Sequence, residues 1–183
     1  MDILIAGVGG QGTLLASRVL GDYALLKGLD CKLSEVHGMA QRGGSVVTFV
    51  RMGEKIYSPL IDEGGADVLL AFEKLEALRY SKIVKEDGII LYSTQEILPM
   101  PVVIGAAVYP EKIEEKLKNA YGVNAMEIAE SIGNTKVTNT IMLGALVKKM
   151  NMDYDIALKA LIQSIPEKTI QVNEKAFLAG YNI

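Results

Sequence analysis

Glu35 to Ser45 read EVHGMAQRGGS and bring together the chain's only histidine, a glutamate, an arginine and two adjacent glycines. His37 titrates nearest neutrality of any side chain, so it reads as a proton donor or hydrogen bonder at a reacting centre. It reads equally as a loop histidine that caps backbone or meets a partner, because the sequence fixes no carboxylate or nucleophile beside it. Arg42 supplies a permanent cation and a bidentate donor fork for a phosphate or a carboxylate, or an ion pair with Glu35. Gly43 and Gly44 let a ligand or a main chain approach closely, Gln41 and Ser45 read as members of the same polar network, and Met39 as an adaptable contact to a partner.

A second glycine-rich stretch, GVGGQG from Gly7 to Gly12, lies one helix earlier. Gly7, Gly9 and Gly12 fit GxGxxG, with a strand before and a helix after. Such glycines let the backbone turn tightly against a diphosphate, whose charge the first N–H groups of the helix favour. Gly9, Gly10, Gln11 and Gly12 would offer those N–H groups. The plainer alternative is that the glycines serve only close strand–helix packing. A dinucleotide reading also wants an acid near the end of the second strand. Glu35, 23 residues past Gly12, stands there, and a free-standing NAD(P)- or nucleotide-binding protein is the competing function.

These loops need strands to hold them. Asp2–Ala6 (DILIA) is a short apolar run of the kind buried in parallel sheets, and residues 11–27 form a helix with Leu15, Val19, Tyr23 and Leu26 on one face and Gly28 as its stop. Strands are expected at Cys31–Val36, at Ser45–Arg51 with a hairpin partner at Lys55–Leu60, at Asp67–Phe72, at Gly88–Ser93 and at Val102–Val108. Helices are expected over 73–84, over 111–122 behind Pro110, and over 124–132, 138–150 and 153–164, with a last one after Pro166. Asn134 and Asn139 read as helix caps, and Glu73, at the end of a parallel strand, as a minor ligand-edge candidate. The fold class is α/β: a Rossmann-like, mostly parallel sheet with an inserted β-hairpin and a helical C-terminal third, as one domain over residues 1–183.

Composition narrows the chemistry. One cysteine, Cys31, among 183 residues provides neither a disulfide nor the four thiolates of an iron–sulfur cluster, and Cys31 with His37 falls short of a structural zinc set, so no metal is expected on this chain. A net charge of −3 and a pI near 5.3, with scattered lysines and arginines, argue against nucleic acid. Half the residues are hydrophobic, yet no run reaches the roughly 18 apolar residues of a membrane span, and MDILIAGVGG lacks the basic start of a signal peptide, so a cytoplasmic location is expected.

Four segments taken together, IAGVGGQGTLLASRVLG, SEVHGMAQRGGSVVTFVR, SPLIDEGGADVLLAFEKLEALRY and NTIMLGALV, resemble the gamma-type subunit or domain of 2-oxoacid:ferredoxin oxidoreductases. Within that family the likeness is to the small (beta) subunit of indolepyruvate ferredoxin oxidoreductase, and it spans nearly the whole chain. The resemblance implies a complex that decarboxylates an arylpyruvate such as indolepyruvate with thiamine diphosphate and magnesium, and sends the electrons through iron–sulfur clusters to ferredoxin. The acyl group leaves on coenzyme A. It places those cofactors on a larger partner subunit. This chain would then be inactive alone and, through its two glycine-rich loops, complete the partner's active site or a coenzyme A channel. Arg42 and Gly9 are the residues through which that idea is tested.

Overall fold

A computed structural model of the chain describes residues 1–37 and 43–183, the side chain of His37 excepted. Six strands, β1 (Asp2–Val8), β2 (Asp30–His37), β3 (Ser45–Gly53), β4 (Ala66–Ala71), β5 (Val84–Ser93) and β6 (Ala120–Val123), form one sheet in the order β2-β3-β1-β4-β5-β6. β1, β4, β5 and β6 run parallel, and β3 is antiparallel to both of its neighbours. The inserted hairpin is therefore β2–β3, which extends the sheet from β1. Lys55–Leu60 forms no strand, because both edges of β3 are already taken. That segment is held instead by Ile56 N donating to Asp30 Oδ2 at 2.8 Å and by Arg51 Nη1 donating to Ser58 O and Leu60 O.

Helix α1 (Thr13–Leu26) leads from β1 towards β2, and α2 (Lys74–Arg79) leads from β4 to β5. Crossovers between strands of like direction are right-handed, so connections running opposite ways along the sheet put their helices on opposite faces. Apolar residues sort accordingly. Ile3, Ile5, Val68 and Leu70 pack beneath α1 and the C-terminal helices, while Leu4, Ala6, Leu69 and Ala71 pack beneath α2. α1 stops as its sequence requires: Gly28 takes φ 71°, and the Leu29 and Gly28 N–H groups return to the carbonyls of Ala24 and Leu25.

The remaining helices are two short turns, α3 (Met100–Val103) and α4 (Ile113–Lys116), and the C-terminal set α5 (Ala125–Ile132), α6 (Thr138–Lys149), α7 (Tyr154–Ser164) and α8 (Ile170–Tyr181). α6 and α8 cross at two glycines. A Cβ on Gly144 would strike Phe177 O, and one on Gly180 would strike Ile141 O. This close approach brings the 7%-exposed Asn173 within reach of the buried Thr140, whose hydroxyl donates to Asn173 Oδ1 at 2.6 Å.

Two expectations fail in the middle of the chain. Val102–Val108 is not a strand. Pro99 and Pro101 withhold backbone donors, Gly105 turns at φ 74°, and the place beside β5 belongs to β6. The helix expected over 111–122 is helical only at Ile113–Lys116. Ile113 and Leu117 are buried as their spacing suggests, but Asn119 turns the backbone at φ 48° and the chain runs on as β6.

Candidate functional site

The two glycine-rich stretches meet at the C-terminal end of β1. Gly9 N donates to Gly44 O at 2.8 Å, and Gly43 N to Gly9 O at 3.5 Å. That clasp occupies the N–H of Gly9, and Gln11 N donates to Val8 O, so two of the four donors expected to face a diphosphate are spent within the protein. The N–H groups of Gly10 and Gly12 have no acceptor among the described residues. Gly7 serves packing, since a Cβ there would sit 3.1 Å from Gln11 Oε1 and 3.2 Å from Thr13 Cγ2. Gly10 and Gly12 stand at φ 102° and 85°, a region that β-carbons oppose. A side chain on Gly12 would also collide with Asn139 Nδ2.

Gln11 fastens the turn to the sheet. Its Oε1 accepts from Val8 N at 2.8 Å, and its Nε2 donates to Phe72 O at 2.9 Å and to Gln95 Oε1 at 3.1 Å. One side chain thus ties the carboxyl ends of β1, β4 and β5 at the point where the helices diverge to opposite faces, where open α/β sheets form their ligand crevice.

The turn separates two cavities. One, of about 420 Å³, is lined by Gly9, Gly10, Leu14, Val46 and Glu35. Glu35 accepts from Thr48 Oγ1 at 3.4 Å. The other, of about 370 Å³, is lined by Gly10, Gly12, Gln95, Thr138, Lys136 and Asn139. Asn139 is only 7% exposed; its Oδ1 accepts from Thr140 N, while its Nδ2 faces Gly12 and has no acceptor among the described residues. α1 begins at Gly12 with no side-chain cap and no acid in its first turn. The glycine turn, the Asn139 amide, the N-terminus of α1 and Lys136 therefore border the second cavity, whose donor and cationic groups suit a phosphate or carboxylate.

Ser45 is placed elsewhere. Strand alternation turns its hydroxyl to the α2 face, where it donates to Glu76 Oε2 at 2.5 Å and lies 3.0 Å from Tyr80 OH. Glu76, 3% exposed, also accepts from Arg79 Nε at 3.1 Å. His37 takes its backbone place opposite Val46 in the β2–β3 ladder. The His37 side chain, Met39, Gln41 and Arg42 lie outside the described residues. Asn134 caps the turn before α6 as expected, whereas Asn139 lies inside that helix.

Glu73, expected at the ligand edge of the sheet, is buried in a network of internal donors, beside a lysine that sequence reasoning did not single out. Glu73, 1% exposed, starts α2 by accepting from Glu76 N, and its other oxygen accepts from Ile97 N and Tyr109 OH, both at 3.1 Å. Burial raises its pKa against these donors, and burial together with the Glu73 carboxylate raises that of Tyr109. Lys74 bonds Glu114 at 2.5 Å and Glu96 at 2.7 Å, which push its pKa up to about 12. An acid followed by a lysine at a strand end was the available signal.

Among the described residues no helix is long and apolar enough to cross a membrane. Residues 2–183 match the family described as Pyruvate ferredoxin/flavodoxin oxidoreductase. The chain is 39% identical to the indolepyruvate oxidoreductase subunit IorB of Archaeoglobus fulgidus, over all of this chain and 94% of that protein. It is 36% identical to the ketoisovalerate oxidoreductase subunit VorA of Methanothermobacter marburgensis over 79% of this chain, a stretch that makes up only 27% of VorA. The crystal structure of the keto/oxoacid ferredoxin oxidoreductase gamma subunit from Geobacter sulfurreducens superposes with a TM-score of 0.75 at 25% identity, covering 99% of this chain and 96% of that one. A match that runs from β1 to the last helix, joined to a shared fold, places the chain in the pyruvate ferredoxin/flavodoxin oxidoreductase family.

Proposed function

We propose that the chain is the small, cofactor-free subunit of a thiamine-diphosphate and iron–sulfur dependent 2-oxoacid:ferredoxin oxidoreductase that converts an arylpyruvate of the indolepyruvate type to acyl-CoA and CO2. Ferredoxin is reached through the complex. The larger subunit carries thiamine diphosphate, magnesium and the clusters, since the single Cys31 of this chain cannot ligate a cluster. The part of this chain is to complete the partner's active site or coenzyme A channel with its joined glycine loops.

The observation that carries this reading is the second cavity, where the Gly10–Gly12 turn, Asn139 Nδ2 and Lys136 face one space at the carboxyl edge of the sheet. These residues fit a diphosphate: glycines leave room for it, an amide without an acceptor waits for it, and a lysine balances its charge. Coenzyme A bound there would present its thiol as acceptor of the acyl group. Arg42 would add a second cation from the loop that Gly43 and Gly44 clasp to Gly9.

The reading is tested by expressing the chain beside a candidate larger subunit and measuring 2-oxoacid-dependent reduction of a ferredoxin-like acceptor, together with isothermal titration of coenzyme A into the complex. Weaker coenzyme A binding is expected in Arg42→Ala, Gly9→Val and Asn139→Leu. A chain that remains a free monomer and binds NAD tightly would refute the proposal.

A further inference from the structure

From Ile97 to Pro110 the sequence ILPMPVVIGAAVYP contains no charged residue, in a chain of which 22% is charged. This is the stretch expected to include a core strand, yet it lies outside the core. Leu98 is 52% exposed, Met100 68%, Val103 61%, Ile104 69% and Val108 87%. Soluble monomers seldom display so many large apolar side chains in one short segment.

The segment is held in shape. At its base, Glu73 binds Ile97 N on one stem and Tyr109 OH on the other. The neighbouring Lys74 binds Glu96 and Glu114 on the same two stems, and its backbone N–H donates to Gln95 O. Within the loop, Ala106 N and Ala107 N both donate to Pro101 O, and two prolines restrict the backbone further. An apolar loop with a closed base and internal bonds has already met the ordering cost that binding would otherwise impose.

We infer that residues 97–108 are a docking knob that inserts into an apolar socket on the larger oxidoreductase subunit, beside the crevice this chain contributes. The inference rests on the proposed function. Three observations select that occupant. Ile97, at the root of the knob, lines the same cavity as Asn139 and Lys136, so whatever covers the knob also reaches the crevice. In the relative VorA the whole match of 146 residues makes up only 27% of the chain, so the matched part there belongs to a much larger polypeptide. The knob also has the composition of an interface core, apolar and stripped of charge, rather than of a polar rim.

The test uses the full chain co-expressed with the larger subunit. The variant Met100→Glu/Ile104→Glu places two charges on exposed sites, and Leu25→Glu, on an exposed α1 position remote from the knob, is the control. Far-ultraviolet circular dichroism and thermal unfolding of the isolated chains confirm that each has folded. The expected result is an association weakened on the order of tenfold or more in the double variant, with 2-oxoacid activity restored at high concentrations of this chain, and unchanged association in the control. Wild-type and double-variant chains that assemble equally well would overturn the docking site alone. A wild-type chain that does not assemble at all would overturn the proposed function with it. A wild-type dimer of this chain that the double substitution dissociates would give the knob to a second copy and overturn the assignment.

Discussion

The hydroxyl of Tyr109 donates to Glu73 Oε1 at 3.1 Å, a bond between residues 36 apart in sequence that closes the base of an apolar loop on the carboxyl end of a parallel strand. Glu73 contributes structure and a pH response at once. Its carboxylate is buried, and burial raises its pKa although four donors, the N–H groups of Ile97, Glu76 and Leu75 and the Tyr109 hydroxyl, oppose the shift. A carboxyl whose folded pKa is raised binds protons more tightly when folded. Its stabilising contribution is therefore complete below the unfolded value and is lost as pH rises through the folded one.

Glu73→Gln removes this titration and turns an amide donor on groups that are themselves donors. A loss of about 1–3 kcal/mol is expected at neutral pH, the usual cost of unmatched buried donors. The difference in stability between wild type and variant, followed by urea unfolding from pH 4 upward, is expected to depend on pH only above the ordinary glutamate value. A pH-independent difference would mean that Glu73 does not titrate in this window.

Gly12 and Asn139 form a coupled pair, because the buried amide occupies the space that a Cβ on Gly12 would need. Gly12→Ala meets both the unfavourable φ of 85° and the collision. Asn139→Ala removes the collision and leaves only the left-handed backbone, which costs about 1–2 kcal/mol. A double-mutant cycle is expected to give a coupling of about 1 kcal/mol or more. Additive effects would place the amide away from the turn.

Gly144→Ala and Gly180→Ala test the α6–α8 crossing. Each added methyl meets backbone of the facing helix, which cannot rotate aside as a side chain can. Either substitution is expected to cost 3 kcal/mol or more, about the upper range of overpacking, and to appear as a large fall in the midpoint of thermal unfolding. An unchanged midpoint would show that the helices slide apart at little cost.

Legibility in the sequence followed local physics. The β1–turn–α1 unit was readable because strand, glycines and helix are contiguous, and the C-terminal helices because their 3.6-residue periodicity is sustained. Val102–Val108 is apolar without being buried, and Pro99, Pro101 and Gly105 argue against a strand there. β6 went unseen because Ala120–Val123 is short and Ile113 and Leu117 extend a helical pattern across it. In the candidate site, the meeting of Gly9 with Gly44 was foreseeable from the order of elements. The turning of Ser45 to the opposite face followed from strand register, and the convergence of Asn139 and Lys136 on the turn, across more than 120 residues of sequence, followed from tertiary packing. Neither is written locally.

Lys136 offers the sharpest separation of binding from folding. It is exposed and makes no ion pair among the described residues, so Lys136→Glu is expected to leave the thermal midpoint of the chain unchanged. With coenzyme A in the second cavity, as proposed, the same substitution would put a carboxylate beside its diphosphate. The KM for coenzyme A should then rise on the order of tenfold, with kcat at saturating coenzyme A and the KM for the 2-oxoacid nearly unchanged. The effect should shrink at high ionic strength, because an exposed charge is screened over about 8–10 Å. Steady-state kinetics with coenzyme A varied at two salt concentrations decides the matter. A KM equal to that of wild type would remove Lys136 from the coenzyme A path and leave the glycine turn with a purely architectural role.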